Sequence, residues 1–145
     1  MNTENPAKAR NWKINHAITD SFPASGITTI LTAGTALTIG QAVYVGGDSK
    51  MEKALATGIA TMPAIALATG TIDENAEGEF LLCGFFGNAI WDWTPGGLLY
   101  IDRTTAGDLT QTAPLTTGDQ VQVVGIAITA TIILLNPSYE LVEIS

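Results

Sequence analysis

Turn-forming residues interrupt this chain every 8–12 residues or so, and almost nothing between them can sustain a helix. The stretch "TPGGLLYIDRTTAGDLTQTAP", Thr94 to Pro114, reads as turn, strand, turn, strand, turn. No window keeps apolar residues at i, i+3, i+4 and i+7 with capping residues at its ends. Met51 to Met62 comes nearest, and Gly58 with Pro63 spoils it. The expected fold is therefore all-β: a small β-barrel or β-sandwich domain over residues 21–145, preceded by an extended N-terminal arm over residues 1–20.

The strands follow from the punctuation. Ile27–Leu31 and Gln41–Val45 come first. "GGDS" then turns the chain into a returning strand at Lys50–Ala54. Pro63–Ala68 is a compact apolar strand, and "TIDENAEGE" is an acidic loop. Leu98–Asp102 and Leu109–Thr112 form a hairpin around "TTAGD". Val121–Ile128, with Gly125 as its bulge, returns as Ile132–Leu135, and "YELVEI" offers a last short strand. In the arm, "WKINHAI" alternates, so Trp12, Ile14, His16 and Ile18 share one strand face.

One strand breaks the alternation. "FLLCGFF", Phe80 to Phe86, is apolar at nearly every position. A strand with one wet face alternates, so this one is expected to be covered on both faces, with another subunit as the second cover. Gly84 and Gly87 allow a bulge or a close backbone approach there. In "IWDWTPGG", Trp91 and Trp93 fall on one face and Asp92 on the other. Phe80, Leu82, Phe85, Phe86, Trp91 and Trp93 are accordingly the expected subunit interface.

An internal echo runs through the chain. "GQAVYVGGD" at Gly40–Asp48 matches "GGLLYIDRT" at Gly96–Thr104, and "PAIALATGTI" at Pro63–Ile72 matches "VGIAITATII" at Val124–Ile133. Two similar halves of this kind would build a pseudo-symmetric barrel or sandwich.

Charge narrows the partners. Only 14% of the 145 residues are charged, well below the usual quarter. Solubility then rests on Thr, Asn, Ser and Gly, a surface suited to pressing against other protein. Residues 1–13 carry Lys8, Arg10 and Lys13 against Glu4, a net +2. The remainder carries Lys50, Lys53 and Arg103 against 13 acidic residues, a net −10. An acidic body repels phosphate backbones, so no nucleic-acid partner is expected. No stretch approaches a membrane span, and "MNTENPAKARNWKIN" has no apolar core of signal-peptide length. The expected place of synthesis is a cytoplasm.

The chain offers little for catalysis. His16 is the one histidine and Cys83 the one cysteine, which excludes an internal disulfide and leaves a zinc site without ligands. Cys83 reads as a small buried hydrophobe. "DENAEGE" clusters carboxylates without the spacing of a calcium loop. Asp92 between two tryptophans resembles a sugar-binding or glycosidase fragment, but glycoside hydrolysis needs a second carboxylate at a set distance. Trp91 and Trp93 read as core or subunit-interface anchors in preference to a carbohydrate platform. No nucleotide-binding or nucleophile-elbow motif is present. No enzyme activity and no cofactor are expected.

The pattern W-T-x-G-G-x-L-Y, G-x-L-T-x-T-x-P, G-D-x-V-x-V-V-G-I-A and N-P-S, from Trp93 to Ser138, resembles small head-decoration (capsid cement) proteins of tailed bacteriophages. It is also similar to phage tail-fibre and spike modules. The half from Gly34 to Ile72 resembles the same group. The resemblance implies a β-rich virion protein, often trimeric, that caps gaps between capsid hexamers. Its partners would be the phage's major capsid protein and two further copies of itself, and its place the capsid surface. The basic arm supplies the expected capsid contacts: Lys8, Arg10, Trp12 and Lys13. The alternative is a tail-fibre or spike module that binds a host receptor or glycan. A fibre is expected to be longer, with a repetitive shaft, so a chain of this length starting at Met1 fits decoration better.

Overall fold

The computed structural model describes Ile18 and residues 23–145. The rest of the arm, with Lys8, Arg10, Trp12, Lys13 and His16, lies outside the described residues. The described chain is all-β, as expected. Its strands are β1 (Ala24–Thr32), β2 (Ala42–Val45), β3 (Met51–Lys53), β4 (Ala66–Ala68), β5 (Glu77–Gly87), β6 (Leu98–Ile101), β7 (Leu109–Thr110), β8 (Gln120–Val121), β9 (Val123–Ala127), β10 (Ile132–Leu135) and β11 (Val142–Glu143). Among the described residues a single 3₁₀ turn, Ile59–Thr61, is the only helical piece.

β5 organises the rest. One of its edges pairs antiparallel with β1 along its whole length. Its other edge is shared: Phe80 and Leu81 pair with β4, while Gly84 to Gly87 pair with β10. The sheet therefore forks. One arm runs β4-β2-β3, the other β10-β9-β6-β7, and the whole curls into a half-barrel.

The apolar run in β5 follows from this fork and from a bulge. Ile27 faces Cys83 and Thr28 faces Leu81, so Leu82 is an extra residue without a partner on β1. Beside it, Gly84 has φ 143, and a Cβ there would collide with the carbonyl of Ser25. The bulge inverts the alternation, so Leu81 and Phe86 pack into the same core despite their odd spacing. Phe80 points the other way into a second core. The expectation of cover on both faces holds for Phe80 and Leu81, but both covers come from the same chain.

The main core lies between the arms. Ala42, Leu67 and Leu81 of the first arm face Leu99, Ile101, Val124, Ile133 and Leu135 of the second. The second core lies on the far side of the first arm. There Val43, Met51, Ala66 and Phe80 are capped by Ala33, Leu37 and Ile72.

Backbone hydrogen bonds tie the tips of the arms together. Ala42 N–H donates to Gly107 O at 2.8 Å, Gly107 N–H to Ala54 O at 2.8 Å, Ala56 N–H to Asp102 O at 3.0 Å, and Gln120 N–H to Ala56 O at 2.7 Å. Arg103 Nε donates to the buried carboxylate of Asp119 at 2.6 Å, and Thr116 N–H adds a bond to the same oxygen at 3.1 Å. These bonds satisfy backbone groups that an open sheet edge would leave to water.

The internal echo is a structural repeat. Read inward from each end, the strand orders β3-β2-β4-β5 and β7-β6-β9-β10 are the same arrangement. The match extends to single bonds. Gly40 N–H donates to Ala68 O at 2.8 Å and Ala68 N–H to Gln41 O at 2.9 Å; Gly96 N–H donates to Ala127 O at 2.7 Å and Ala127 N–H to Gly97 O at 3.0 Å. Gly40 and Gly96 share φ values of 82 and 84, the left-handed geometry that the turn before each strand requires. Ala68 thus corresponds to Ala127, whereas the sequence echo aligns it with Thr129. A slip of two residues keeps every side chain on its face, so the apolar pattern alone could not fix the register.

Candidate functional site

The second arm carries an apolar row on its outer face. Phe85 lies opposite Leu134, Leu134 opposite Ile126, and Ile126 opposite Leu98, so four strands contribute to one cross-strand row. Phe85 is 40% exposed and Leu98 45%. Leu98, Val123, Ile126, Leu134 and Asn136 line a shallow depression there. Cys83 sits at its edge, half-buried, with Sγ 3.9 Å from Asn136 Oδ1. The bulge at Leu82 turns Cys83 toward this face, and so it is not the fully buried hydrophobe expected.

The repeat gives this row a counterpart in the first arm. By the paired registers, Leu98, Ile126 and Leu134 correspond to Ala42, Leu67 and Leu81 of the first arm. Those three are fully buried against the second arm. The same row that makes a β-on-β contact in one half is left open in the other. Ile18 reaches the rim of this face, since a Cβ on Gly87 would meet both Ile18 and Ile132.

A second feature lies at the turn between the repeats. The segment Asn88–Trp93 is latched to the β9–β10 hairpin by Asn88 N–H to Thr131 O at 2.9 Å and Trp93 N–H to Ala130 O at 2.8 Å. It presents Trp91 and Trp93 with ring centroids 5.6 Å apart and planes at 51°; Phe86 stands 5.6 Å behind Trp91. Both indoles are half-buried against the main core, and Asp92 between them is exposed. They line a pocket of about 240 Å³ with Gln41, Asn88, Ile90 and Asp108.

Charge at this pocket is set by the β6–β7 loop. Partial burial pushes the Asp108 carboxyl above its ordinary value; the charge of Asp102 adds to this and Lys53 partly offsets it. At Asp102 burial also pushes upward, but hydrogen bonds outweigh it and leave the carboxyl below its ordinary value. They come from the Thr104 hydroxyl at 2.7 Å and from the backbone N–H groups of Thr105 and Arg103 at 3.1 and 2.8 Å.

The expected interface residues divide. Phe80 and Phe86 are fully buried inside the chain and are core residues, out of reach of any partner. Leu82 is half-buried against the second core. Phe85 alone lies in the open row, while Trp91 and Trp93 belong to the separate pocket. Sequence reasoning missed Leu98, Ile126 and Leu134, together with Gln41, Asn88 and Asp108. Among the described residues no group of three or more His, Cys, Asp or Glu could hold a metal ion, and no helix is long and apolar enough to cross a membrane.

Fold and surfaces together define an all-β protein of two repeated arms, with one apolar sheet face left open among the described residues. No protein-family model matches the chain, and no curated protein matches it in sequence.

Proposed function

We propose that this chain is a structural virion protein that binds the outer surface of an assembled tailed-phage capsid as a trimer and stabilises the shell, catalysing no reaction. The observation that carries the reading is the open row Phe85–Leu134–Ile126–Leu98. A contiguous apolar strip across a sheet marks a protein contact. Its counterpart in the first arm packs on a β-face of the same chain, so the occupant that fits is the β-surface of a neighbouring copy. The resemblance of the Trp93–Ser138 region to capsid cement proteins supplies the capsid as the further partner.

The mechanism is linkage. A protein that binds the assembled shell and not its loose subunits stabilises the shell by mass action. Three linked copies multiply contacts that are weak one by one. A surface low in charge limits the desolvation cost of each contact.

The test is sedimentation of the purified chain beside Phe85→Asp and Leu134→Asp. The parent is expected to run as a trimer at micromolar concentration. Each variant, which places an unpaired carboxylate in the seam at a cost on the order of several kcal/mol, is expected to run as a folded monomer. A monodisperse parent monomer overturns the trimer. For the capsid role, particles lacking this protein should release DNA at lower temperature than decorated ones; equal survival counts against cementing.

A further inference from the structure

We propose that the pocket between the two repeats is a carbohydrate site that takes one pyranose ring, stacked on Trp91 and Trp93 and held at its hydroxyls by Gln41, Asn88 and Asp108. The proposal does not depend on the trimer or on the capsid, because it uses a surface separate from the open row.

The walls of the pocket carry the argument. Each indole packs one part of its surface on the main core and leaves another part to the pocket. Their planes, tilted by 51°, form an apolar angle instead of a flat slab. A pyranose presents aliphatic C–H groups on its faces and hydroxyls around its rim. The negative face of an aromatic ring attracts such polarised C–H groups, much as it attracts a positive ring edge. Phe86, fully buried behind Trp91, fixes the platform before any ligand arrives, which lowers the ordering cost of binding.

The rim supplies polar partners that the fold does not use. Gln41 Oε1 accepts from Thr38 N–H at 2.9 Å, and Asn88 Oδ1 accepts from Ile90 N–H at 3.2 Å. These bonds orient the amides and leave Gln41 Nε2 and Asn88 Nδ2 without partners among the described residues. The Asp108 carboxylate accepts no hydrogen bond among the described residues, although the charge of Lys53 acts on it, and it provides the acceptor that sugar hydroxyls need. Two amide donors and one carboxylate beside two indoles form a mixed lining that suits a sugar better than a purely apolar or purely charged ligand. A volume of about 240 Å³ accommodates one ring and not an extended chain. Ile90, 87% exposed at the lip, is placed to touch the next residue of a glycan.

The experiment is saturation-transfer NMR on the full chain with methyl glycosides of glucose, galactose, mannose and N-acetylglucosamine as probes. At least one is expected to receive saturation on its ring protons, with a millimolar dissociation constant. Asp108→Asn and Asn88→Ala should each weaken that binding about tenfold, the loss of one hydrogen bond to ligand. Trp91→Ala should abolish it; circular dichroism reports whether that variant folds. No transfer to any of the four glycosides overturns the proposal. So does binding that Asp108→Asn and Asn88→Ala both leave unchanged. Phe85→Asp, on the other surface, should bind the glycoside like the parent, so a failed trimer and a failed sugar site are read separately.

Discussion

Gln122 pairs with Ala64 as a strand would. Its Oε1 accepts from Ala64 N–H at 2.8 Å and its Nε2 donates to Ala64 O at 2.8 Å, while a second Nε2 bond reaches Ser138 O at 2.7 Å. The side chain is 1% exposed. One amide thus satisfies three backbone groups from two distant segments at the place where the arms meet. Gln122→Leu keeps the apolar volume but leaves those groups buried and unpaired. Such groups cost about 1–3 kcal/mol each, so the variant is expected to lose roughly 3 kcal/mol or more. The urea unfolding midpoint checks this; a loss below about 1 kcal/mol would mean that water replaces the amide without penalty.

Ser25 offers the opposite case. Its hydroxyl is buried on β1 with no hydrogen-bond partner among the described residues. Ser25→Ala removes an unsatisfied polar group and creates almost no cavity. The expected outcome is a gain of about 1 kcal/mol in unfolding free energy. A destabilised variant would mean that the hydroxyl is hydrogen-bonded in solution.

These two residues show where sequence reading stops. The strands were legible because alternation and turn residues are local signals; "TPGGLLYIDRTT" states its hairpin within a dozen positions or so. Gln122 reads locally as a mere interruption of an apolar run, because its partner Ala64 is 58 positions away. The open row was hidden for a related reason. Leu98, Ile126 and Leu134 stand in "LLY", "VGIA" and "IILL", where both faces are apolar. Which face is covered depends on the fork at β5 and on the unopposed Val124, since Leu99 faces Gly125 while Tyr100 faces Val123. Phe80 and Phe86 were read as interface residues because the bulge at Leu82 could be suspected from Gly84 but not placed. Trp91 and Trp93 were legible as a pair. Their pocket was not, since Gln41 and Asp108 come from other turns.

Acid should act on Asp102 and Asp108 in opposite senses. The folded state lowers the Asp102 pKa, so its carboxylate stabilises the fold above the ordinary value of 3.8, and that contribution is lost as pH falls through the depressed folded value. The folded state raises the Asp108 pKa, so its carboxylate weakens the fold at neutral pH, and protonation relieves this as pH falls through the raised value. Asp102→Ala should therefore lower the melting temperature at pH 7, with the gap to the parent closing below pH 3.8. Asp108→Asn should raise it slightly at pH 7, with that gain vanishing in acid. Parallel melting-temperature curves across this range for parent and variants would refute both assignments.

The N-terminal arm is predicted to serve the capsid and not the fold. Residues 1–13 are net positive on an otherwise acidic protein. Ile18 lies against Gly87, at the rim of the open row. A trimer assembled through the open row would carry three such basic tips. An acidic capsid surface would attract them, and the attraction should fade with salt over a Debye length of about 8–10 Å. Removing residues 1–11 takes away Lys8 and Arg10 but keeps Trp12 and Ile18. The truncated chain should fold, sediment like the parent and bind particles weakly at low ionic strength. Full-length binding should weaken as salt rises, and that of the truncated chain, which keeps Lys13, should weaken less. Co-sedimentation with particles across a salt series measures both. Equal decoration by the two proteins at low salt would show that Lys8 and Arg10 make no capsid contact.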